Sequence, residues 1–397
     1  MGRKNLKLRV DNEGCLEVVD PGYDTLELIH SIDPEFKIKM APLPLFSSPR
    51  IIKSKQTSCG LSSEELVNSS DEELWNLHAK ILDCPSIETK SRQTDEESFL
   101  DLKIELAYRL LKSCRLCGRL CAVDRIAGRK GVCGLGKEAT LDEYFVHIAE
   151  EPPINPSLNL VLWGCGLQCK FCQRYELLDP EGDGYPLSPF FWNEFASTVA
   201  RSISFVGGNP DESLYAILKF LSYVPPLFNK PICWNSNGYA SRIVYKLLSG
   251  IVDVYIPDAK FYSEKCSYEL AGCKNYFEMF QAGIEEMVKQ DIPIFVRMLV
   301  LPGHTECCHL PLIEYLSKYK EKVWLNILGQ YYPPDISRKE TVPSRKPFLS
   351  EMEKLFSYAE RLGGPDWLLS KERGTFPGND PAIPFWSQRY KEEEFTS

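Results

Sequence analysis

From residue 158 to residue 328 short β-rich apolar runs alternate with helical stretches, and this alternation limits the architecture more than any other feature of the chain. The runs are "LNLVLW" (158–163), "SISFVGG" (202–208), "PICWNS" (231–236), "VDVYIP" (252–257), "IPIFVRMLV" (292–300) and "KVWLNIL" (322–328). Between them lie "WNEFASTVARS", "ESLYAILKFLSYV", "SRIVYKLLS", "YFEMFQAGIEEMVKQ" and "PLIEYLSKY", each with apolar residues at helical spacing. Repeated βα units imply an α/β fold with a parallel sheet. Six repeats fall short of a closed eight-stranded barrel, so the expected core is a partial (βα)6 barrel over residues 151–335. In such sheets the loops after the C-terminal ends of the strands carry the chemistry.

The flanks read differently. Residues 1–100 are charged and Ser-rich, with proline clusters such as "APLPLFSSP", and form an accessory, partly helical region. Within it "SSDEELWNLHAKIL" has a Ser at a cap position, acids in the first turn and Leu74, Leu77 and Ile81 on one face. By position this region is expected to dock a partner or cover the barrel mouth. Residues 101–150 are expected to be a helix, "ESFLDLKIELAYRLLKSC", that delivers a four-cysteine segment. Residues 336–397 are expected to be a helical extension, "FLSEMEKLFSYAERLG", and a tail ending in "RYKEEEFTS".

The composition is that of a globular chain: 44% hydrophobic and 25% charged residues over 397 positions. Its longest apolar runs are strand-sized, well below the roughly 20 residues of a membrane span, so no membrane association is expected. The N-terminus "MGRKNLKLRVDNEGCLEVVD" turns acidic before any apolar run of signal-peptide length, which points to the cytoplasm. A net charge of −9 argues against nucleic acid as the main partner, because phosphate contacts need a basic face. Trp163 and Trp234 are expected in the core.

Fifteen cysteines are many for a chain without a secretory signal, and in a reducing compartment they read first as metal ligands or catalysts. Seven of them are clustered. Cys114, Cys117, Cys121 and Cys133 follow CxxCxxxC spacing plus a fourth thiol after eleven intervening residues. That full set suits structural zinc or a closed second [4Fe-4S] cluster, with free thiols as the alternative. Cys165, Cys169 and Cys172, in "WGCGLQCKFCQ", have CxxxCxxC spacing just after the first strand. Three thiolates on a cluster of four irons leave one iron open, and an open position separates a catalytic metal from a structural one. Cys15, Cys59, Cys84, Cys233, Cys266, Cys273, Cys307 and Cys308 show no comparable spacing.

With Phe171 before the third cysteine, this motif resembles that of the radical S-adenosylmethionine (SAM) superfamily. Five further motifs resemble the pyruvate formate-lyase activating-enzyme-like subgroup: "HIAEEPPINPS", "GGNP" (207–210), "WNSNGY" (234–239), "IPDAK" (256–260) and "VRMLVLPGH" (296–304). The likeness spans roughly residues 112–335. It implies a partial (βα)6 radical SAM barrel with a Cys-rich metal-binding segment before it. It further implies that Cys165, Cys169 and Cys172 hold a [4Fe-4S] cluster whose open iron takes the amino and carboxylate groups of SAM. Phe171 would pack near the adenine, and Gly207, Gly208 and Asn209 would receive the amino group. Asn235, Ser236, Asp258, Lys260 and Arg297 would surround the carboxylate, and His304 would face the substrate. The residues alone allow blander readings: "GGNP" as a turn, Asp258 and Lys260 as a strand-end ion pair, Arg297 as a structural pair, His304 as a surface residue.

The resemblance implies an oxidoreductase-like activity. A reductant such as flavodoxin or ferredoxin supplies an electron, SAM is cleaved to a 5′-deoxyadenosyl radical, and that radical takes a hydrogen atom from the substrate. The subgroup implies a glycyl radical enzyme as protein substrate; the alternatives are radical modification of another peptide, protein or small molecule, or a non-catalytic iron-sulfur or zinc protein.

Overall fold

A computed structural model describes residues 7–10, 16–20, 49–83, 95–148, 150–151, 154–178, 184–333 and 342–369. The expectations for "APLPLFSSP" up to residue 48 and for the tail "RYKEEEFTS" lie outside the described residues. Strands β1 (Lys7–Val10) and β2 (Leu16–Asp20) pair antiparallel in a small sheet of their own. Helices α1 (Arg50–Gln56), α2 (Ser63–Asn68), α3 (Asp71–Asp83) and α4 (Phe99–Leu110) follow. The starts of α2 and α4 are set by capping boxes, Ser62 with Glu65 and Ser98 with Asp101, each satisfying otherwise orphaned backbone N–H groups. In α3 Leu74 is buried as expected, with Leu77 and Ile81 packed against the core at its edge.

The main sheet contains β3 (Thr140–His147), β4 (Ser157–Leu162), β5 (Tyr185–Pro186), β6 (Ser202–Gly207), β7 (Ile232–Ser236), β8 (Val254–Pro257), β9 (Ile294–Leu299) and β10 (Val323–Leu328). Its order is β10-β9-β8-β7-β6-β4-β3-β5. The six strands from β4 to β10 other than β5 run parallel, as the repeat pattern implies, and β3 joins the edge antiparallel to β4. All six positions of β4 are buried, as for a strand covered on both faces. Helices α5 (Trp192–Ser197), α6 (Leu214–Leu221), α7 (Arg242–Leu248), α8 (Glu264–Ala271), α9 (Tyr276–Met287) and α10 (Leu310–Ser317) connect them, and α11 (Leu349–Gly363) packs on α10. Trp163 and Trp234 are buried.

The sheet is rolled. Asn159 on β4 and Arg297 on β9 both bond to Glu150, although β6, β7 and β8 lie between their strands. The floor of the enclosed space is apolar: Ile154, Cys233, Val254, Ile256, Phe295 and Leu369 pack together. Helix α1 sits where the Arg50 backbone N–H donates to Asp253 and Ser54 donates to the Gly250 carbonyl, both just ahead of β8. Apolar Ile51 and Ile52 need burial, and the core beneath those loops provides it. No helix among the described residues is long and apolar enough to cross a membrane.

Candidate active site

The three-cysteine loop leaves β4 at its C-terminal end, where the fold places chemistry. Cys165 and Cys169 are buried and Cys172 is half-buried. The loop is seated by two glycines from β6. A Cβ on Gly207 would lie 2.3 Å from the Leu162 backbone nitrogen, and one on Gly208 2.3 Å from the Gly164 carbonyl oxygen. Gly207 also takes φ +107°, a region that only glycine enters readily. The "GGNP" turn therefore lets two chain segments touch, with Gly207 exposed at the mouth.

Beneath the loop runs a buried polar network. The Asn237 side-chain amide donates to the Cys165 sulfur at 3.3 Å. The Asn237 backbone N–H donates to Asn209 Oδ1 at 2.9 Å. The Asn209 amide donates to Asp211 at 2.9 Å and to Glu212 at 2.6 Å, so this side chain is engaged within the protein. Asp211 also accepts from Ser236 at 2.5 Å and from Trp234 at 2.7 Å. Glu212 accepts the Gly166 backbone N–H at 2.7 Å. Burial raises the Glu212 carboxyl to about 7, with repulsion from Asp211 adding to it. Burial likewise pushes the Cys165 thiol up to about 12 and raises Cys169 well above the usual thiol range. Without a metal these thiols hold their protons, and a metal ion displaces them.

A cation stands beside the thiols. Lys260, after β8, pairs with Asp258 at 2.6 Å, their side chains 17% and 28% exposed. Burial works against the Lys260 charge, and Asp258, Cys169 and Cys172 outweigh it, raising its pKa. Asn235 faces the mouth half-buried, and Ser236 is buried. The Phe171 ring meets Phe261 and Tyr331 edge-on, at 5.9 and 6.4 Å between centroids. Arg297, bridged to Asp258 on the neighbouring strand, reaches two acids: it donates to Glu151 at 2.9 and 2.6 Å and to Glu150. Asn159 and His147 also bond to Glu150, and Asn326 bonds to Glu151. Burial disfavours the Glu150 charge, but Arg297, His147 and Asn159 outweigh it and hold its pKa well below the usual range.

The four-cysteine segment braces the three-cysteine loop. Arg119 donates to the carbonyls of Gly166 (2.7 Å), Leu167 (3.0 Å), Ala271 (2.7 Å) and Gly272 (2.6 Å). Arg125 is buried and donates to the Glu212 carbonyl at 2.6 Å, with the Cys114 sulfur 3.8 Å away. Gly118 and Ser241 backbone bonds tie the segment to the exit of β7. Cys114, Cys117 and Cys133 are buried and Cys121 half-buried. Among the described residues, the His, Cys, Asp or Glu group whose ligand atoms converge within 4.8 Å is another one: Cys266, His304, Cys307 and Cys308. His304 thus sits with thiols after β9.

Several site residues carry no signal of their own in the sequence. Asn237 lies inside the quoted "WNSNGY", and Glu150 and Glu151 inside "HIAEEPPINPS", but their partners are distant in the chain. Asp211 and Glu212 read simply as acids at a helix start.

The donor set fits an iron-sulfur cluster: three thiols on one loop, an amide N–H aimed at one sulfur and an ammonium beside the other two. Comparison with known proteins agrees. Residues 161–316 match the family described as Radical SAM superfamily. The uncharacterized protein MJ0674 of Methanocaldococcus jannaschii is 32% identical over 320 residues, covering 75% of this chain and 90% of the relative. The structure of Streptococcus suis SuiB bound to precursor peptide SuiA overlaps 72% of this chain and 56% of its own, at 13% identity and a TM-score of 0.34. That of methylornithine synthase (PylB) overlaps 77% and 80%, at 11% identity and a TM-score of 0.35. With the motif, the parallel sheet and the family match in agreement, this chain belongs to the radical SAM superfamily.

Proposed function

We propose that this radical SAM enzyme abstracts hydrogen from a protein substrate presented at the barrel mouth, the activation of a glycyl radical enzyme being the specific form of that reading. The observation that supports a presented substrate is the packing inside the rolled sheet. An apolar floor of Ile154, Cys233, Val254, Ile256, Phe295 and Leu369 packs within the rolled sheet and the charged group of Arg297, Glu150 and Glu151 lies next to it, which favours a reacting C–H that approaches from outside.

The [4Fe-4S] cluster, when bound at Cys165, Cys169 and Cys172, supplies the electron that cleaves SAM to a 5′-deoxyadenosyl radical. The residues around it bind and orient. Exposed Gly207 offers its carbonyl at the mouth, and half-buried Asn235, Asp258 and Lys260 line the side toward the SAM carboxylate. Lys260 offsets the negative charge of three thiolates. Arg297, held by two acids, positions the polar layer beneath, and Phe171, Phe261 and Tyr331 form an aromatic wall that excludes water. Asn209 and Ser236 act as positioning residues through Asp211 and Asn237. Cys114, Cys117, Cys121 and Cys133 would hold zinc or a second [4Fe-4S] cluster, which would keep the brace folded. We assign no radical-transfer role to His304.

The test is anaerobic reconstitution, reduction and addition of SAM. The expected result is 5′-deoxyadenosine and a SAM-dependent change in the cluster's EPR spectrum, both lost in Cys169→Ala. Cell extract separated by size then tests the substrate: the macromolecular fraction is expected to accelerate 5′-deoxyadenosine release and gain a glycyl radical signal. Acceleration by the small-molecule fraction alone would sink the protein-substrate reading.

A further inference from the structure

We propose that Cys266, His304, Cys307 and Cys308 form a closed tetrahedral site for one zinc ion, distinct from both the three-cysteine loop and the four-cysteine segment. Their four ligand atoms lie within 4.8 Å of one another. The Cys266 and Cys307 sulfurs are 3.4 Å apart, and Cys307 Sγ is 3.6 Å from His304 Nδ1. A tetrahedral ion with Zn–S bonds of about 2.3 Å spaces its ligand atoms about 3.8 Å apart, so the side chains already stand near the edges of such a tetrahedron.

The local backbone explains how neighbouring residues reach one centre. Thr305–His309 form a π-helical turn, wider than an α-turn, with His304 at its start and α10 continuing from it. Such turns are rare and occur frequently at functional sites. They place His304, Cys307 and Cys308, at i, i+3 and i+4, on one face. The fourth ligand comes from a separate element: Cys266 is in the first turn of α8. Cys308 is fully buried. Cys266 is also buried, while Cys307 and His304 are half-buried, which leaves an entry path.

The donor chemistry selects the ion. Three thiols and one imidazole are soft and borderline ligands that suit Zn²⁺. With four protein ligands no position stays open, so the site is structural. As Zn²⁺ enters, the three thiol protons leave to solvent. The ion would pin the segment after β8 to the segment after β9. Lys260 and Asp258 lie on the first and Arg297 lies within the strand feeding the second, so the site would fix the spacing across the mouth. The site stands on its own geometry, whether or not the substrate is a protein.

The experiment uses the full-length chain, purified anaerobically with its cluster reconstituted, and Zn²⁺ alone as probe. Cysteine alkylation is followed peptide by peptide with and without one equivalent of Zn²⁺. The expected result is that alkylation of Cys266, Cys307 and Cys308 slows by about tenfold or more, as metal-bound thiolates do. His304→Ala, at a half-exposed position, is expected to remain folded by circular dichroism, keep its iron content and lose one zinc per chain. Unchanged alkylation rates at Cys307 overturn the proposal. So does recovery of Cys266 and Cys307 as one disulfide-linked peptide from zinc-replete protein, which would mark a redox pair. If His304→Ala misfolds, the alkylation of the native chain still decides.

Discussion

Asn237 donates its side-chain amide to the sulfur of Cys165 across 3.3 Å, and the same side chain accepts the Tyr239 backbone N–H at 2.8 Å. One residue thus couples a cluster ligand to the turn that leaves β7. Hydrogen bonds to cluster sulfurs raise the reduction potential. Asn237→Ala is therefore expected to lower the midpoint of the cluster and to slow 5′-deoxyadenosine formation by about tenfold, the scale of such supporting contacts. An EPR-monitored redox titration reads the first and a product assay the second; an unshifted midpoint would refute the coupling.

Lys260 and Asp258 should pull the same potential in opposite directions. Removing the ammonium in Lys260→Gln leaves Asp258 alone near the thiolates, so the midpoint falls. Asp258→Asn frees the cation, so it rises. Each charge contributes on the order of 1–2 kcal/mol at an effective dielectric near 20, tens of millivolts for one electron. Shifts of the same sign in both variants would rule the electrostatic account out.

Gly208→Ala tests whether "GGNP" is an ordinary turn. The new Cβ would stand 2.3 Å from a backbone oxygen that cannot rotate away. A loss of about 3 kcal/mol in stability and failure to retain iron are expected from overpacking at this contact. Chemical denaturation and iron analysis check it. A fully loaded, stable variant would show that the loop and β6 do not need to touch.

Acid should loosen the accessory helices before the barrel. His78 on α3 and Lys103 on α4 are both buried and 2.7 Å apart. Burial, with Lys103 adding repulsion, lowers the His78 pKa to about 2 from an ordinary 6.5. A group whose folded pKa is depressed contributes stability that is whole above its unfolded value and lost as pH falls. The window therefore runs from 6.5 down toward 2, at about 1.4 kcal/mol per pH unit. The double substitution His78→Leu with Lys103→Met should flatten that slope and leave stability equal or higher at pH 7, because buried ionisable pairs are often matched by apolar residues. Thermal melts across pH 4–7.5 compare the two.

The parallel strands were readable because a strand buried on both faces is written as a near-continuous apolar run, and "LNLVLW", broken only by Asn159, is such a run. Strand β3 was not, since "TLDEYFVH" is mostly half-exposed at the sheet edge and mixes acids with aromatics. The cysteines of the loop declared themselves because all three ligands lie within eight residues. Cys266 and Cys307 gave no spacing signal because 41 residues separate two thiols that meet only when α8 and the turn before α10 pack side by side. Arg297 was visible as a candidate, but the partners that occupy it, Glu150 and Glu151, stand 147 and 146 residues earlier. Spacing rules see ligands on one loop; they do not see a rolled sheet closing on itself.

The four carbonyl bonds of Arg119 bear on how the protein comes to be loaded. Two anchor on the three-cysteine loop and two on the end of α8. The motif therefore gains its final shape only after the segment upstream has docked and the chain through residue 272 has been made. Cluster insertion becomes a late step of maturation, and an Arg119→Ala chain, though it holds Cys165, Cys169 and Cys172, is expected to accept less iron. Comparing the iron content of that variant with the unsubstituted chain, under identical reconstitution, measures how far loading depends on assembly.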